Sequence, residues 1–231
     1  MKQTVYIYRM TNDTGCAPCV FEKSYKSTPL LTLACCKGGQ LRRGKYINTG
    51  LRNTIGTRHF QGIKDRSEKV LVIGIMKNRI IYIAEITDIC EMKEYFESPE
   101  YKSRLDCIYT CSGKAKTDHG KEFYLVRNRN NPYFHSKSET GLHHRDECGR
   151  FVLFSNSFAY FGKEEKLIAN DKKLLELLPK RQETKTYSEG SDAFETIMNF
   201  VNELWNNRPQ TIIYSEPSER INKSCTGCKQ K

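Results

Sequence analysis

The sequence predicts an α+β protein, built on a compact mixed β-sheet or a partly open barrel and completed by C-terminal helices. Two β-rich runs, residues 70–75 and 80–86, flank the short connection 76–79 and predict a central hairpin. Apolar residues at helical spacing over 194–205 predict a long helix near the C-terminus. With 38% hydrophobic residues, a chain of 231 residues is able to bury a sizeable core.

Further short strands are predicted along the first part of the chain. The β-branched and aromatic residues 4–8 predict the first strand, and the runs 123–126 and 151–154 predict two more. Residues 92–105 contain a proline between two apolar stretches, which predicts a short helix broken at that proline.

Two connecting segments carry weaker patterns. The polar segment after Gly38-Gly39, through Arg43, predicts a helical turn whose amides hold an anion. Residues 48–66 are rich in Asn, Thr, Gly and Arg without an apolar period, so they predict a long mobile loop.

The C-terminal part changes in character after Gly162. Leucines from Leu167 to Leu178 predict a helix that ends at Pro179, and residues 180–190 predict a charged linker. Asp192 and Glu195 have the spacing of a capping box at the start of the long helix. An edge strand is predicted at 211–214.

These changes predict two parts of the chain. We expect an α+β domain over residues 1–165 and a helical extension over 166–231, with a basic cysteine-containing tail, packed on the first part.

The net charge of +11 indicates a polyanionic partner, although a merely soluble basic surface is the alternative. Positive charge lies close to aromatic residues in several segments, where cations can neutralise phosphates and aromatic faces can accept an unstacked base. The candidate phosphate or nucleic-acid ligands are Lys37, Arg42, Arg43, Arg52, Arg58, Arg127, Arg129 and Tyr133.

Several function classes lose their sequence support. The chain has no Walker-type glycine loop, no G-x-G-x-x-G motif after a strand and no H-E-x-x-H helix. Its longest apolar run, residues 70–76, is far shorter than the roughly 20 residues that span a bilayer, and no apolar signal segment opens the chain. We therefore expect a cytoplasmic protein.

The densest group of reactive side chains lies near the N-terminus. Asp13 opens a turn that contains Cys16 and Cys19, and Cys36-Lys37 follows after a short spacer. A nearby cation favours the thiolate, so Cys36 with Lys37 is a candidate nucleophile and Asp13 a candidate general base. The alternatives are an ordinary turn and an inert thiol, because adjacent strand residues point to opposite faces.

The run D-x-G-x-A-P, followed by T-L-A-x-C-K and paired basic residues, resembles the second of the nucleotide-modification-associated domain families of bacteria and phages. Later stretches agree in order over about residues 1–165: Ile81-Tyr82-Ile83-Ala84-Glu85-Ile86-Thr87, Glu94-Tyr95-Phe96, Asp106-Cys107-Ile108-Tyr109, His143-His144, and Arg150-Phe151-Val152-Leu153-Phe154-Ser155 leading to Phe158-Ala159-Tyr160-Phe161-Gly162. The resemblance implies a setting of base modification or phage–host conflict and leaves the reaction open. By fold-level analogy, the strand layout is also similar to PUA-like domains such as EVE.

Two functions from different classes follow. The first is a module that binds nucleic acid or a nucleotide through the basic loop. The second is a transferase that modifies a nucleobase or nucleotide with Asp13 and Cys36. The presence of positive charge and aromatic residues favours the first.

Two C-x-x-C pairs predict a zinc site that joins the ends of the chain. Cys16 and Cys19 form one pair, Cys225 and Cys228 the other, and tetrahedral zinc is satisfied by four thiolates. A redox-active pair at Cys16 and Cys19, with an unengaged tail, is the alternative. The ligand-type residues His143, His144, Asp146 and Cys148 lie close together in the sequence and are interpreted as a polar loop, with a metal site as the alternative.

Overall fold

The computed structural model describes residues 1–42, 45–112, 124–127, 131, 146, 149–164, 166–167, 171–205 and 211–219, with the backbone alone for 40–42, 45–49, 112, 124–127 and 167. The strands are β1 (Lys2–Arg9), β2 (Cys19–Phe21), β3 (Ser27–Leu33), β4 (Gly39–Arg42), β5 (Lys45–Thr49), β6 (Glu68–Met76), β7 (Arg79–Ile86), β8 (Asp88–Glu91), β9 (Tyr109–Ser112), β10 (Tyr124–Arg127), β11 (Phe151–Ser155), β12 (Ser157–Tyr160), β13 (Lys166–Leu167), β14 (Thr184–Ser188) and β15 (Ile212–Ile213). The helices are α1 (Leu51–Lys64), α2 (Met92–Glu97), α3 (Lys172–Leu177) and α4 (Asp192–Leu204), with short 3-10 turns at Pro99–Tyr101 and Gly162–Glu164.

A mixed sheet forms the centre of the molecule. Its strands run in the order β14-β1-β6-β7-β12-β15, and β13 pairs with the end of β7. The pairs β1–β6 and β12–β15 are parallel, whereas the other pairs are antiparallel. A second, antiparallel sheet has the order β2-β3-β11-β8, and the pairs β4–β5 and β9–β10 stand apart.

This architecture confirms the predicted α+β class with a compact mixed sheet. The two end strands of the main sheet, β14 and β15, do not pair with each other, so the described strands form no closed barrel. The predicted hairpin corresponds to β6 and β7, and the predicted edge strand at 211–214 is β15 beside β12.

The main sheet is buried on both faces. Successive side chains of β1 point to opposite faces of the sheet. Tyr6 and Tyr8 belong to an apolar cluster with residues of α1 and the second sheet. Val5 and Ile7 belong to another cluster, with residues of α3 and α4. The sheet is therefore the middle layer, and side chains from two opposite sides of it reach separate cores.

Helix α1 replaces the mobile loop predicted for residues 48–66. Its buried face consists of Leu51, Arg52, Ile55, Gly56, His59 and Ile63. The spacing is helical, but half of these residues are polar or lack a side chain, so no apolar period marks the helix in the sequence. The predicted helical turn through Arg43 is also wrong, because β4 and β5 form an antiparallel pair there.

The C-terminal part differs from its prediction at three places. The predicted linker 180–190 contains β14, a half-buried edge strand with too few apolar residues to show a strand pattern. The predicted leucine helix is shorter, since Leu167 belongs to β13 and α3 begins at Lys172. The long helix α4 is confirmed, but its cap is Ser191, whose Oγ accepts the N–H of Phe194, and no Asp192 capping box forms.

Within the described residues, no helix combines the length and the apolar character needed to cross a membrane.

Candidate functional site

We call residues 13–18, which follow β1, the Asp13 turn. Hydrogen bonds connect this turn to the C-terminal segment, residues 217–219. The Tyr160 hydroxyl, at the end of β12, lies 2.7 and 2.8 Å from the two carboxylate oxygens of Asp13. The backbone N–H of Ser218 donates to the same carboxylate at 3.1 Å, and the N–H of Glu219 donates to the Asp13 carbonyl at 2.9 Å. Asp13 is fully buried. Its carboxylate therefore joins three distant parts of the chain.

Burial raises the pKa of the Asp13 carboxyl, and the hydrogen bonds from Tyr160 and Ser218 oppose this effect only in part. Gly15 allows the C-terminal segment to approach closely, because it has a φ of +77° and a Cβ there would lie 2.6 Å from Pro217. This enclosure favours an anchoring role for Asp13 over contact with a substrate.

Two buried thiols of the same region face each other. The Sγ atoms of Cys16 and Cys35 are 3.3 Å apart, and both residues are almost completely buried. Cys19, in contrast, donates its S–H to the carbonyl of Phe21 at 3.2 Å. The fold therefore places the Cys16 thiol in contact with the Cys35 thiol.

The chain after β3 turns sharply at Cys36 and Lys37. Both residues have left-handed backbone conformations, with φ values of 55° and 53°. Non-glycine residues rarely adopt this region, and two in succession require support from the surrounding structure. We call residues Cys36 and Lys37 the strained turn. Both side chains are half-buried, whereas the preceding Cys35 is fully buried.

Arg52 supplies much of that support. Its Nε donates to the Cys36 carbonyl at 2.6 Å, its two terminal nitrogens donate to the carbonyls of Phe151 and Asp146, and its backbone N–H donates to the Lys37 carbonyl at 3.1 Å. Helix α1 has no side-chain cap, so the Lys37 carbonyl accepts an amide hydrogen that is otherwise unsatisfied in the first turn. Arg52 is fully buried, which assigns it to holding the turn rather than to a phosphate at the surface.

Asp146 completes the support from the opposite side. Its carboxylate accepts the N–H of Cys36 and, at 2.7 Å, the hydroxyl of Tyr109, and it lies 4.0 Å from Arg52. A buried carboxylate with these partners is well compensated for its loss of hydration. The predicted companions His143, His144 and Cys148 lie outside the described residues.

The Lys37 amine points over an aromatic ring. Its Nζ lies 5.2 Å from the ring centre of Tyr8, whose hydroxyl accepts a 3.0 Å hydrogen bond from Tyr82. Burial raises the pKa of Tyr8 well above its ordinary value, and the charges of Cys36 and Asp13 act in the same direction. The three predicted catalytic residues, Asp13, Cys36 and Lys37, are thus all close enough to Tyr8 to interact with it electrostatically. Lys37 has no ion-pair carboxylate among residues the structure describes.

A second polar cluster lies farther along α1. The Tyr6 hydroxyl is 2.8 Å from Nε2 of His59, and Nδ1 of that histidine is 2.6 Å from Glu68. Burial raises the pKa of Tyr6, and the hydrogen bond and charge of Arg58 oppose it. The predicted ligand Arg58 is exposed on this side of the helix.

Other predicted residues fall where side chains are not described. For Arg42 and Arg127 only the backbone is described, in β4 and β10. The residues Arg43, Arg129, Tyr133, Cys225 and Cys228 lie outside the described part of the chain. In the portion that is described, no three His, Cys, Asp or Glu residues form a group able to hold a metal ion. The four-cysteine zinc site remains a prediction.

The supporting residues of this site carried little signal in the sequence. Tyr109 and Tyr160 lie in stretches that resemble the family, but nothing in their spacing indicates which acid each one contacts. The sequence predicted Arg52 as a phosphate ligand and Asp146 as part of a polar loop, so neither was expected to support the turn. Their roles depend on contacts between residues 94 positions apart, which a local pattern does not encode.

Comparison with known proteins agrees with the resemblance in the sequence. The model of one family, nucleotide modification associated domain 2, matches residues 2–224. The match extends beyond residue 165 and includes β14, α4 and β15. No curated protein and no solved structure gives a significant match. The family's name implies a role in nucleotide modification. Because the match covers nearly the whole chain, this protein belongs to the nucleotide modification associated domain 2 family.

Proposed function

We propose that this protein binds nucleic acid or a nucleotide and holds its phosphate at the strained turn. The observation that carries the proposal is the position of Lys37. The residue is half-buried, its amine lies over the Tyr8 ring, and no described carboxylate forms an ion pair with it. A left-handed backbone is a costly way to present a lysine, and such strain is concentrated at functional sites.

The β4–β5 pair extends the same basic region. It begins two residues after Lys37, and Arg42 pairs with Lys45 across its end. The sequence places Arg43 in the connection between them. Four strand residues span roughly 13 Å, which is the scale of several successive phosphates rather than one. Together with the net charge of +11, this arrangement supports a polyanion as the ligand.

Salt-dependent binding tests this function. Fluorescence anisotropy with mixed-sequence single- and double-stranded DNA and RNA should show affinity that falls steeply with salt. Lys37→Ala should reduce the log–log slope by about 0.7–0.9, the value of one phosphate contact, and Arg42→Ala with Arg43→Ala by about one to two. Lys77→Ala is the matched control, because Lys77 is exposed in the β6–β7 turn and also has a left-handed φ of 53°.

The result that would overturn the proposal is equally specific. An absence of binding to all four nucleic acids at low salt, together with no binding of nucleoside mono-, di- or triphosphates, would exclude a phosphate site. Equal log–log slopes of affinity against salt concentration for wild type, Lys37→Ala and Lys77→Ala would show that Lys37 does not contact the phosphate.

A second candidate is a transferase that modifies a nucleobase or nucleotide, with Cys36 as nucleophile. One observation favours it: the Cys36 thiol is half-buried and its backbone is fixed by Asp146 and Arg52. The base assigned to this mechanism, Asp13, already accepts hydrogen bonds from Tyr160 and Ser218. Mass spectrometry of nucleosides from cells with and without the protein separates the candidates. A new nucleoside mass that disappears with Cys36→Ser supports the enzyme.

A further inference from the structure

We propose that Cys16 and Cys35 form a reversible disulfide that ties the Asp13 turn to the end of strand β3. This inference concerns a redox response and does not depend on which ligand the protein binds.

The geometry selects this pair among several neighbouring cysteines. The Sγ atoms of Cys16 and Cys35 are 3.3 Å apart, and the Cys35 thiol also lies 3.5 Å from the Cys16 carbonyl. Bond formation at about 2.05 Å requires an approach of little more than 1 Å. Cys19, the partner expected from C-x-x-C spacing, has its thiol directed at Phe21.

The third nearby thiol is that of Cys36. It is half-buried, whereas Cys16 and Cys35 are 1% and 0% exposed. Hydrogen bonds with Cys16 and with Cys36, together with burial, raise the pKa of Cys35 well above its ordinary value. The Cys35 thiol therefore remains protonated at neutral pH, and the buried pair needs a small oxidant that can enter the protein.

Hydrogen peroxide is the oxidant we assign to this reaction. The two S–H groups give up two protons and two electrons, one S–S bond forms, and the O–O bond of peroxide is cleaved to give two water molecules. A dithiol such as dithiothreitol reverses the reaction by thiol–disulfide exchange and is itself oxidised to its cyclic disulfide.

The bond would connect the two sides of the candidate site. Cys16 lies in the Asp13 turn, which is hydrogen-bonded to Ser218 and Glu219, and Cys35 directly precedes the strained turn. Oxidation would close a loop between positions 16 and 35 and restrict the unfolded chain. We therefore expect the oxidised protein to melt on the order of 5 °C above the reduced protein.

Tryptic mapping of peroxide-treated protein tests the proposal directly. Cys16 and Cys19 lie in one tryptic peptide, residues 10–23, and Cys35 and Cys36 lie in another, residues 27–37. A Cys16–Cys35 bond links the two peptides, whereas Cys16–Cys19 or Cys35–Cys36 bonds stay within one. We expect the linked pair in wild type, its loss after dithiothreitol, and its persistence in Cys19→Ser and Cys36→Ser.

Variants at the two proposed positions complete the design. The link should be absent in Cys16→Ala and Cys35→Ala, and neither variant should melt higher after peroxide treatment. If these variants fail to fold, the wild-type map and the two serine controls still decide the question. The proposal would be overturned by a disulfide within either peptide, or by a link that disappears in Cys19→Ser or Cys36→Ser. It would also be overturned if peroxide treatment oxidised no thiols.

Discussion

The hydroxyl of Tyr160 lies within 2.8 Å of both carboxylate oxygens of Asp13, although 147 positions separate these residues in the chain. This contact fastens the turn after β1 to the end of β12, and the same carboxylate receives the N–H of Ser218. The N-terminal turn, the main sheet and the C-terminal segment are thus joined at one buried acid. The first prediction concerns the strength of this connection.

Tyr160→Phe should lower the free energy of unfolding by about 1.5–3 kcal/mol, because it removes a hydrogen bond to a buried acid. Tyr187→Phe is a control with a smaller expected loss of stability. Its half-buried hydroxyl donates to the uncharged carbonyl of Leu177, so its loss should cost about 0.5–1.5 kcal/mol. Urea unfolding of both variants measures the difference. Equal costs would indicate that Asp13 is protonated in the folded protein and accepts an ordinary neutral hydrogen bond.

The second prediction concerns pH. Burial raises the pKa of Asp13 above its unfolded value of about 3.9, so the folded state holds this proton more tightly. The contribution of the carboxyl to stability is therefore complete below about pH 4 and is lost as pH rises through the folded pKa. The unfolding free energy of wild type minus that of Asp13→Asn should decrease between pH 4 and pH 7.

Asp65→Asn provides a control of opposite sign. Hydrogen bonds from Ser67 lower the pKa of the exposed Asp65, so its contribution is present above about pH 4 and is lost only as pH falls further. The unfolding free energy of wild type minus that of Asp65→Asn should therefore stay constant between pH 4 and 7. A rising difference for Asp13→Asn in that window would mean that the hydrogen bonds, rather than burial, dominate its pKa.

The parts of the fold that the sequence predicted have regular apolar patterns. Strands β6 and β7 and helix α4 each bury an uninterrupted apolar face, so their periodicity survives in the sequence. Helix α1 was missed because Arg52, Gly56 and His59 occupy buried positions that such patterns require to be apolar. The polar edge strand β14 was missed for a related reason, since its half-buried residues alternate with exposed ones.

The composition of the sequence indicated a candidate site but not how its residues are arranged. The density of Asp13, Cys16, Cys36 and Lys37 indicated a loop-built site, and the structure places these residues close together. The support from Asp146 and Arg52 depends on long-range pairing, and a left-handed Cys36-Lys37 leaves no mark in the sequence when neither residue is glycine. The contact between the Cys16 and Cys35 thiols likewise joins residues from separate segments, and no spacing in the sequence indicates it.

The third prediction concerns Arg52. Arg52→Ala should destabilise the protein by about 3–5 kcal/mol, because it removes the donor to three buried carbonyls and the positive charge beside the buried Asp146 carboxylate. Arg52→Lys retains the charge but lacks the forked donors that reach three carbonyls, so it should recover only part of the loss. Arg181→Ala is the exposed control and should change stability by less than about 1 kcal/mol.

A second measurement separates a general loss of stability from release of the strained turn. The rate at which Cys36 reacts with a bulky thiol reagent under native conditions should rise in Arg52→Lys, because the Cys36 carbonyl loses its Nε donor. Tyr160→Phe, which acts on a different part of the core, is the comparison at similar stability. The same reaction rate in both variants would contradict a specific role for Arg52 at this turn.

The fourth prediction is that one substitution at Lys37 increases stability and weakens binding. Lys37 adopts a left-handed backbone that costs a non-glycine residue about 1–2 kcal/mol, while glycine loses about 0.5–1 kcal/mol more chain entropy on folding. Lys37→Gly should therefore raise the free energy of unfolding by about 0.5–1 kcal/mol. If its amine holds phosphate, the same variant should weaken nucleic-acid binding and flatten its salt dependence by nearly one unit. Lys77→Gly shares the backbone conformation on an exposed hairpin turn, so it should gain similar stability with unchanged binding. Gains in stability from both variants without any difference in binding would show that the strain at Lys37 serves the fold and not a ligand.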